Sequence, residues 1–166
     1  MDSLWAPWRG EYVQKAMSGE YKEQGCILCA APNKEDLKKA LVLYKGQYNY
    51  VVMNLYPYNL GHVMVVPYRH INAIDLLNEK ERNEHYMLVT CAVVVLRAQY
   101  QCQGFNIGMN MGRSGGAGIE EHIHTHVVPR WNGDANFMPV IADTKVISET
   151  LFGAYDALKK RFDEYK

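Results

Sequence analysis

The 166-residue sequence lacks the features that would set it outside the ordinary globular class. No apolar run approaches the roughly 20 residues that a membrane-spanning helix needs, which argues against a membrane partner. Neither sign of charge is in excess. The 18 lysines and arginines balance 18 aspartates and glutamates, so there is no bulk electrostatic case for nucleic acid as a partner. The opening residues, MDSLWAPWRGEYV, carry no basic stretch followed by an apolar one; no secretory leader is expected, and a reducing cytoplasm is the expected compartment. Cysteine is scarce, four residues in all, and a chain of this length can rely on one core instead of disulfides. With no internal repeat, linker or low-complexity stretch, residues 1–166 read as one domain.

Local patterns order the chain. Residues 1–25 have no clear period and carry Trp5, Pro7, Trp8 and Tyr12, an aromatic arm suited to packing on a partner subunit. LVLYKGQYNYVVMN gives strands at 41–44 and 48–54 about a Lys45-Gly46 turn, and HVMVVPY gives a third at 62–68, with Pro67 ending it or marking an edge. Asn78 and Glu81 form a capping-box pattern, and a helix runs from there to about Tyr100. Met87, Cys91, Val94 and Ala98 share one helical face, which Leu88, Val95 and Leu96 widen, so the helix is deeply buried or shared with another chain. His85 is expected on its surface, and Cys91 is an ordinary buried thiol. FNIGMN (105–110), the glycine loop MGRSGGAG and HIHTHVVP make a hairpin with a long tip. FMPVIA adds a short strand. In the C-terminal segment 146–166, Ile147, Leu151, Ala154, Leu158 and Phe162 keep helical spacing over 147–165. Strands and helices in unequal blocks indicate an α+β fold with an antiparallel sheet.

His122, His124 and His126 recur at every second position, and in a strand they project from one face. A solvent-facing strand is one reading. A metal site is a second, because imidazole is a common zinc ligand, yet three rings spread along roughly 13 Å of strand hardly converge on bonds of about 2 Å. Nucleophilic catalysis is the third. A neutral imidazole can attack phosphorus if its other nitrogen is held as a donor, and nearby donors must meet the phosphate oxygens. The loop GRSGGAG (112–118) suits that chemistry. Its glycines let the backbone approach an anion, and Arg113 and Ser114 add side-chain donors.

HIHTHVV matches H-x-H-x-H followed by two apolar residues, and here the chain resembles the histidine triad (HIT) family. FNIGMNMG, VVPRW and NLGHVMVVPYRH extend the likeness over about 25–140. LWAPWR and PRWNGDANFMPV are similar to its microbial diadenosine-polyphosphate hydrolase or phosphorylase branch. The resemblance implies a five-stranded antiparallel sheet flanked by helices, paired as a homodimer, with a nucleotide substrate and no organic cofactor. It implies that His124 attacks the α-phosphorus, that the His122 carbonyl holds the far nitrogen of His124, and that His126 bonds phosphate oxygens. Asn54 would meet the ribose and Asn110 would lie beside the phosphates, where the reading of the glycine loop also puts Arg113, Ser114, Gly116 and Gly118. His62 resembles a position near the nucleotide, with packing an equal reading. Ala117, Gly118 and Ile119 stand where some members place a polar residue, which leaves water and inorganic phosphate both open as acceptors. Trp131 either stacks on a base or caps the hairpin.

The pair Cys26 and Cys29 in CILC is half of a zinc site by spacing, or two unligated structural cysteines. Related HIT proteins complete such a pair with two histidines, which here are His70 of PYRH and His122, a candidate structural zinc site. Cys102 has no assigned role. Besides the nucleotidyl hydrolase or transferase, two functions stand as alternatives: a nucleotide-binding regulatory or scaffold protein with incidental hydrolysis, and a hydrolase with a catalytic zinc.

Overall fold

The computed structural model describes residues 25–134 and 149–165. The aromatic arm, the strand expected at FMPVIA and Ile147 lie outside the described residues. Helix α1 (Ile27–Ala30) passes into a 3-10 turn (Ala31–Asn33), followed by β1 (Val42–Lys45), β2 (Asn49–Met53) and β3 (Val63–Pro67). The long helix α2 (Glu79–Tyr100), the hairpin strands β4 (Gly104–Met109) and β5 (Thr125–Arg130), and α3 (Leu151–Glu164) complete the order. The five strands form one antiparallel sheet in the order β1-β2-β3-β5-β4. This is the expected α+β architecture.

Register decides which side chains share a face. Val52 opposes Met64 and Met64 opposes His126, a row on one face of the sheet. Val51 opposes Val65, and Val65 opposes Thr125, which also opposes Met109, a row on the other face. α2 packs on β2, β3 and β5, and α3 packs on β1 and α2. β2 and β3, inner strands of the sheet with α2 packed on them, are buried along their whole length.

α2 begins where its capping box dictates. The Asn78 side chain accepts from Glu81 N–H, and the Glu81 carboxylate accepts from Asn78 N–H, satisfying helix-end donors that would otherwise lack partners. Its buried face matches the expected one in part: Leu88, Cys91, Val95 and Leu96 are buried together with Val89 and Ala92, whereas Met87 is 69% exposed and Val94 41%. Two apolar stripes lie side by side on this helix, and the sheet takes the one that also contains His85. That histidine is 4% exposed, in the interior and not on the surface. α3 starts at Leu151, later than 147, because the Thr150 hydroxyl accepts from Gly153 N–H and fixes the helix start.

The strand expected from His122 begins only at Thr125. Ile123 N–H donates to the Ile71 carbonyl, and the His122 carbonyl is taken by the His124 ring, so His122 and His124 precede the ladder. The three imidazoles therefore do not form one row.

Candidate active site and metal centre

Gly61 turns the chain into β3 at φ +72°, where a side chain would be strained, and a Cβ would stand 2.7 Å from the Tyr100 ring. That turn delivers His62, fully buried. Tyr58 N–H donates to His62 Nδ1 (3.0 Å), so the neutral ring carries its proton on Nε2. His62 Nε2 lies 2.9 Å from His126 Nδ1 and donates to it, which leaves the His126 proton on Nε2. Tyr58 packs at 4.5 Å from the His62 ring and 5.4 Å from the His126 ring, holding both in place. Sequence spacing alone gave His62 no partner; the register of β3 beside β5 supplies one.

His124 is almost fully buried. Its Nδ1–H donates to the His122 carbonyl at 2.8 Å, so Nε2 keeps its lone pair. Burial pushes its pKa down, only partly offset by that hydrogen bond, which favours the neutral ring a nucleophile requires. The His124 and His126 rings meet edge to face at 4.9 Å. One imidazole with an available lone pair thus stands beside one whose outer nitrogen donates.

Both rings line a cavity of about 300 Å³. Ile27 and Leu28 of α1, Leu41, and Val52 and Met53 of β2 form apolar walls, and Asn54, Tyr56 and Gly118 bring polar groups. Leu41 adopts φ +60°, a conformation that costs a non-glycine residue free energy and is concentrated at functional sites. Nothing in its local sequence marks it; the bulge between Val42 and Tyr44 does. A volume of this order with apolar walls and a few polar groups suits a flat heterocycle and its sugar.

The remaining expected phosphate residues sit on the loop between β4 and β5. Arg113, Ser114 and Gly116 are exposed, and Asn110 precedes them. The N–H groups of Gly115, Gly116 and Ala117 donate to carbonyls of Gly112 and Arg113 within the loop, so the loop is a 3-10 turn (Arg113–Gly115) and not an open nest. Of the loop residues, Gly118 and Ile119 reach the cavity wall. Trp131 stands elsewhere: its indole N–H donates to the Tyr100 carbonyl at the end of α2 (3.3 Å), and its backbone N–H donates to Asp134 (3.1 Å).

A second cluster lies beyond His122. The ligand atoms of Cys26, Cys29, His70 and His122 fall within 4.8 Å of one another. Cys26 Sγ is 3.3 Å and Cys29 Sγ 3.4 Å from His122 Nδ1, and Cys29 Sγ is 3.3 Å from His70 Nδ1. A tetrahedron with metal–sulfur bonds of about 2.3 Å and metal–nitrogen bonds of about 2.0 Å has edges of roughly 3.5 Å, so the four residues fit a small dication. His122 is oriented for it: Nε2–H donates to the Pro67 carbonyl at 2.9 Å, leaving Nδ1 aimed at the cysteines. The other two cysteines, Cys91 and Cys102, are buried apart from this cluster, and burial pushes the Cys91 thiol up to about 11. Among the described residues no helix is long and apolar enough to cross a membrane.

Residues 35–133 match the HIT domain family model. The chain is 38% identical over 155 residues to an AP-4-A phosphorylase of Mycobacterium tuberculosis, covering 91% of this chain and 79% of that protein. Among solved structures it resembles a hypothetical histidine triad nucleotide-binding protein of Sulfolobus tokodaii (TM-score 0.65, 25% identity, 84% of this chain and 91% of that one). It also resembles a zinc-bound histidine triad family protein of Mycobacterium smegmatis (TM-score 0.67, 20% identity, 85% and 95%).

Proposed function

The chain belongs to the HIT domain family, and we propose that within it the chain is a nucleotidyl hydrolase or phosphorylase. Its substrates are dinucleoside polyphosphates of the diadenosine tetraphosphate type, and its chemistry passes through a nucleotidyl-histidine intermediate. One observation carries the reading: His124 Nδ1–H is tied to the His122 carbonyl, which leaves Nε2 with its lone pair on a ring that lines the nucleoside-sized cavity beside His126. The substrate class follows the 38% identical AP-4-A phosphorylase.

In the first step His124 Nε2 attacks the α-phosphorus. The P–N bond forms, the bridging P–O bond breaks, and the polyphosphate leaves as an anion that needs no proton. The Nδ1–H bond to the His122 carbonyl stabilises the charged ring that results. His126 Nε2–H, set by the His62 contact, hydrogen-bonds a phosphate oxygen. In the second step an acceptor oxygen attacks the same phosphorus and the P–N bond breaks, returning the lone pair to Nε2. Inorganic phosphate yields the nucleoside diphosphate; water yields the monophosphate and releases a proton. Asn54 takes the ribose. Gly118 at the cavity wall and, further along the loop, the side chains of Asn110, Arg113 and Ser114 take the outer phosphates, while Gly116 only shapes the turn, its N–H being committed to the Arg113 carbonyl; Trp131 anchors the hairpin that carries them.

We assign zinc to the Cys26–Cys29–His70–His122 cluster as a structural ion. Four protein ligands leave no open position, so it braces α1 and the triad and does no chemistry. A reducing compartment, the cytoplasm, keeps both cysteines available as ligands. We further assign a homodimer. Met87 and Val94 on α2 and the 50% exposed Ile107 on edge strand β4 offer apolar surface for a second copy. The test is product analysis. Diadenosine tetraphosphate incubated with and without inorganic phosphate should give ATP plus ADP if phosphate is the acceptor, or ATP plus AMP if water is. Two ADP without ATP would rule out attack at the α-phosphorus.

A further inference from the structure

On the face of the sheet away from the cavity, four polar side chains form a chain that runs from half-buried Glu84 into the interior, and its direction is fixed at every link. Glu84 on α2 accepts from the backbone N–H groups of Gln47 (2.6 Å), Tyr48 (2.7 Å) and Asn49 (2.7 Å). The Asn49 side-chain nitrogen donates to Glu84 Oε2 and to the Glu81 carbonyl, both at 3.0 Å. Both its hydrogens are thus committed, so Asn49 Oδ1 must be the atom 2.9 Å from His85 Nδ1. A carbonyl oxygen only accepts, and His85 therefore carries its proton on Nδ1. The His85 Nε2 lone pair then accepts from the Thr125 hydroxyl at 2.6 Å. Asn49, His85 and Thr125 are all buried, and no link can reverse without leaving an interior group unpaired.

Thr125 is the residue between His124 and His126. It is also the first of β5, paired with Val65 on one side and Met109 on the other. Upstream of it the ladder stops, so His124 sits where a strand end would fray. Alternation sends the Thr125 side chain to the face opposite the histidine rings, where the chain anchored on Glu84 holds it. An apolar trio could fill this space without desolvating three polar groups. It would not fix the rotation of the two peptide units that carry the nucleophile and the donor.

We propose that His85 is a positioning residue: through Thr125 it fixes the backbone that aims His124 and His126, and it acts on the transfer step without touching nucleotide. This rests on the nucleotidyl-histidine reading. Misplacing a reacting group slightly costs up to about 100-fold, so His85→Leu and Thr125→Val should each lower the single-turnover rate on diadenosine tetraphosphate between about 10- and 100-fold. Affinity for AMP, measured by calorimetry, should change less than about two-fold. Thr125→Ser should rescue the Val variant, and the double variant should be no slower than the slower single one, because both break one chain. A role in stability alone would lower the melting temperature and leave the rate per folded molecule unchanged, which would overturn the proposal. Should His85→Leu not fold, Thr125→Val, close in shape, carries the same test. Ring nitrogen–proton correlation spectra read the clamp without any turnover. His85 should be protonated on Nδ1, and Thr125→Val should shift the His124 ring signals; a proton on His85 Nε2, or unmoved His124 signals, would also overturn it. If wild-type protein neither turns over nor forms an adduct, the catalytic reading fails while these spectra still decide the clamp.

Discussion

The interior position of His85 makes a prediction about acid stability that can be worked through in numbers. Burial pushes its pKa down from the ordinary 6.5 to about 4, against a smaller upward pull from Glu84. In the unfolded chain the ring takes a proton near pH 6.5; in the native protein it does so only near pH 4. Between those values the unfolded state binds more protons, so stability rises with pH across the window. The contribution is fully present above pH 6.5 and is lost progressively as pH falls towards 4. At roughly 1.4 kcal/mol per pH unit, the loss attributable to this one ring is about 3 kcal/mol. Against a total of about 5–15 kcal/mol for a domain, that is a large fraction.

The assay is urea unfolding at intervals from pH 7 to 4 on the wild-type protein and on His85→Gln, which fills the site without titrating. With a slope of about 2 kcal/mol per molar urea, the wild-type midpoint should fall by about 1.5 M more than that of the variant over the window. The difference between the proteins is what counts. His122 and His124 are also depressed by burial, and hydrogen bonds hold the carboxylates of Glu81 and Glu84 low against the opposing effect of burial, but these groups are present in both proteins and their contributions largely cancel. Parallel curves from pH 6.5 to 4 would show that the native protein protonates His85 freely, and the reasoning from its burial would be wrong.

Three further outcomes are expected. His124→Ala should lose turnover by several orders of magnitude, as loss of a covalent nucleophile does at about 10⁶-fold elsewhere, with circular dichroism unchanged; full activity would end the covalent mechanism. Wild-type protein should carry one zinc per chain by elemental analysis, and Cys26→Ser with Cys29→Ser should carry none and melt lower; a metal-free native protein would end the zinc assignment. Gly61→Ala sets a methyl 2.7 Å from the Tyr100 ring at φ +72° and should destabilise the fold by about 1–3 kcal/mol, with a melting temperature equal to wild type as the contrary result.

The residues legible in the sequence are those whose partners are local or whose spacing is itself the constraint. The capping box of Asn78 and Glu81 is a three-residue pattern, and it forms as read. Strands β1 to β3 are runs of apolar residues bounded by turn chemistry, and their limits fall within a residue or two of expectation. The Cys26–Cys29 pair has the spacing of half a zinc site, and the fold brings His70 and His122 within 4.8 Å of it. Where β5 starts is different. An alternating pattern continues through His122, but hydrogen bonds to Ile71 and to the His124 ring use the backbone first. Periodicity counts side chains and is blind to which carbonyls are already taken.

α2 shows the limit most clearly and also where a signal was present. Met87, Cys91, Val94 and Ala98 form one helical stripe, and His85, Leu88, Ala92 and Val95 form its neighbour at spacings of 3, 4 and 3. Both are largely apolar, so hydrophobicity does not rank them. The second contains a histidine, which weighs against burial unless something in the interior can meet both ring nitrogens. Here Asn49 and Thr125 do so from two different strands, 36 and 40 residues away in sequence. The polar residue on the stripe is therefore what selects it. A histidine whose partners wait in the sheet fixes the rotation of the helix, as a leucine in its place would not, because leucine fits the sheet over a range of rotations and a directed hydrogen-bond chain fits at one. The same specificity that hides His85 from a hydrophobic count makes it a means of setting the angle at which the chain around Thr125 presents His124, just before β5, and His126 within it.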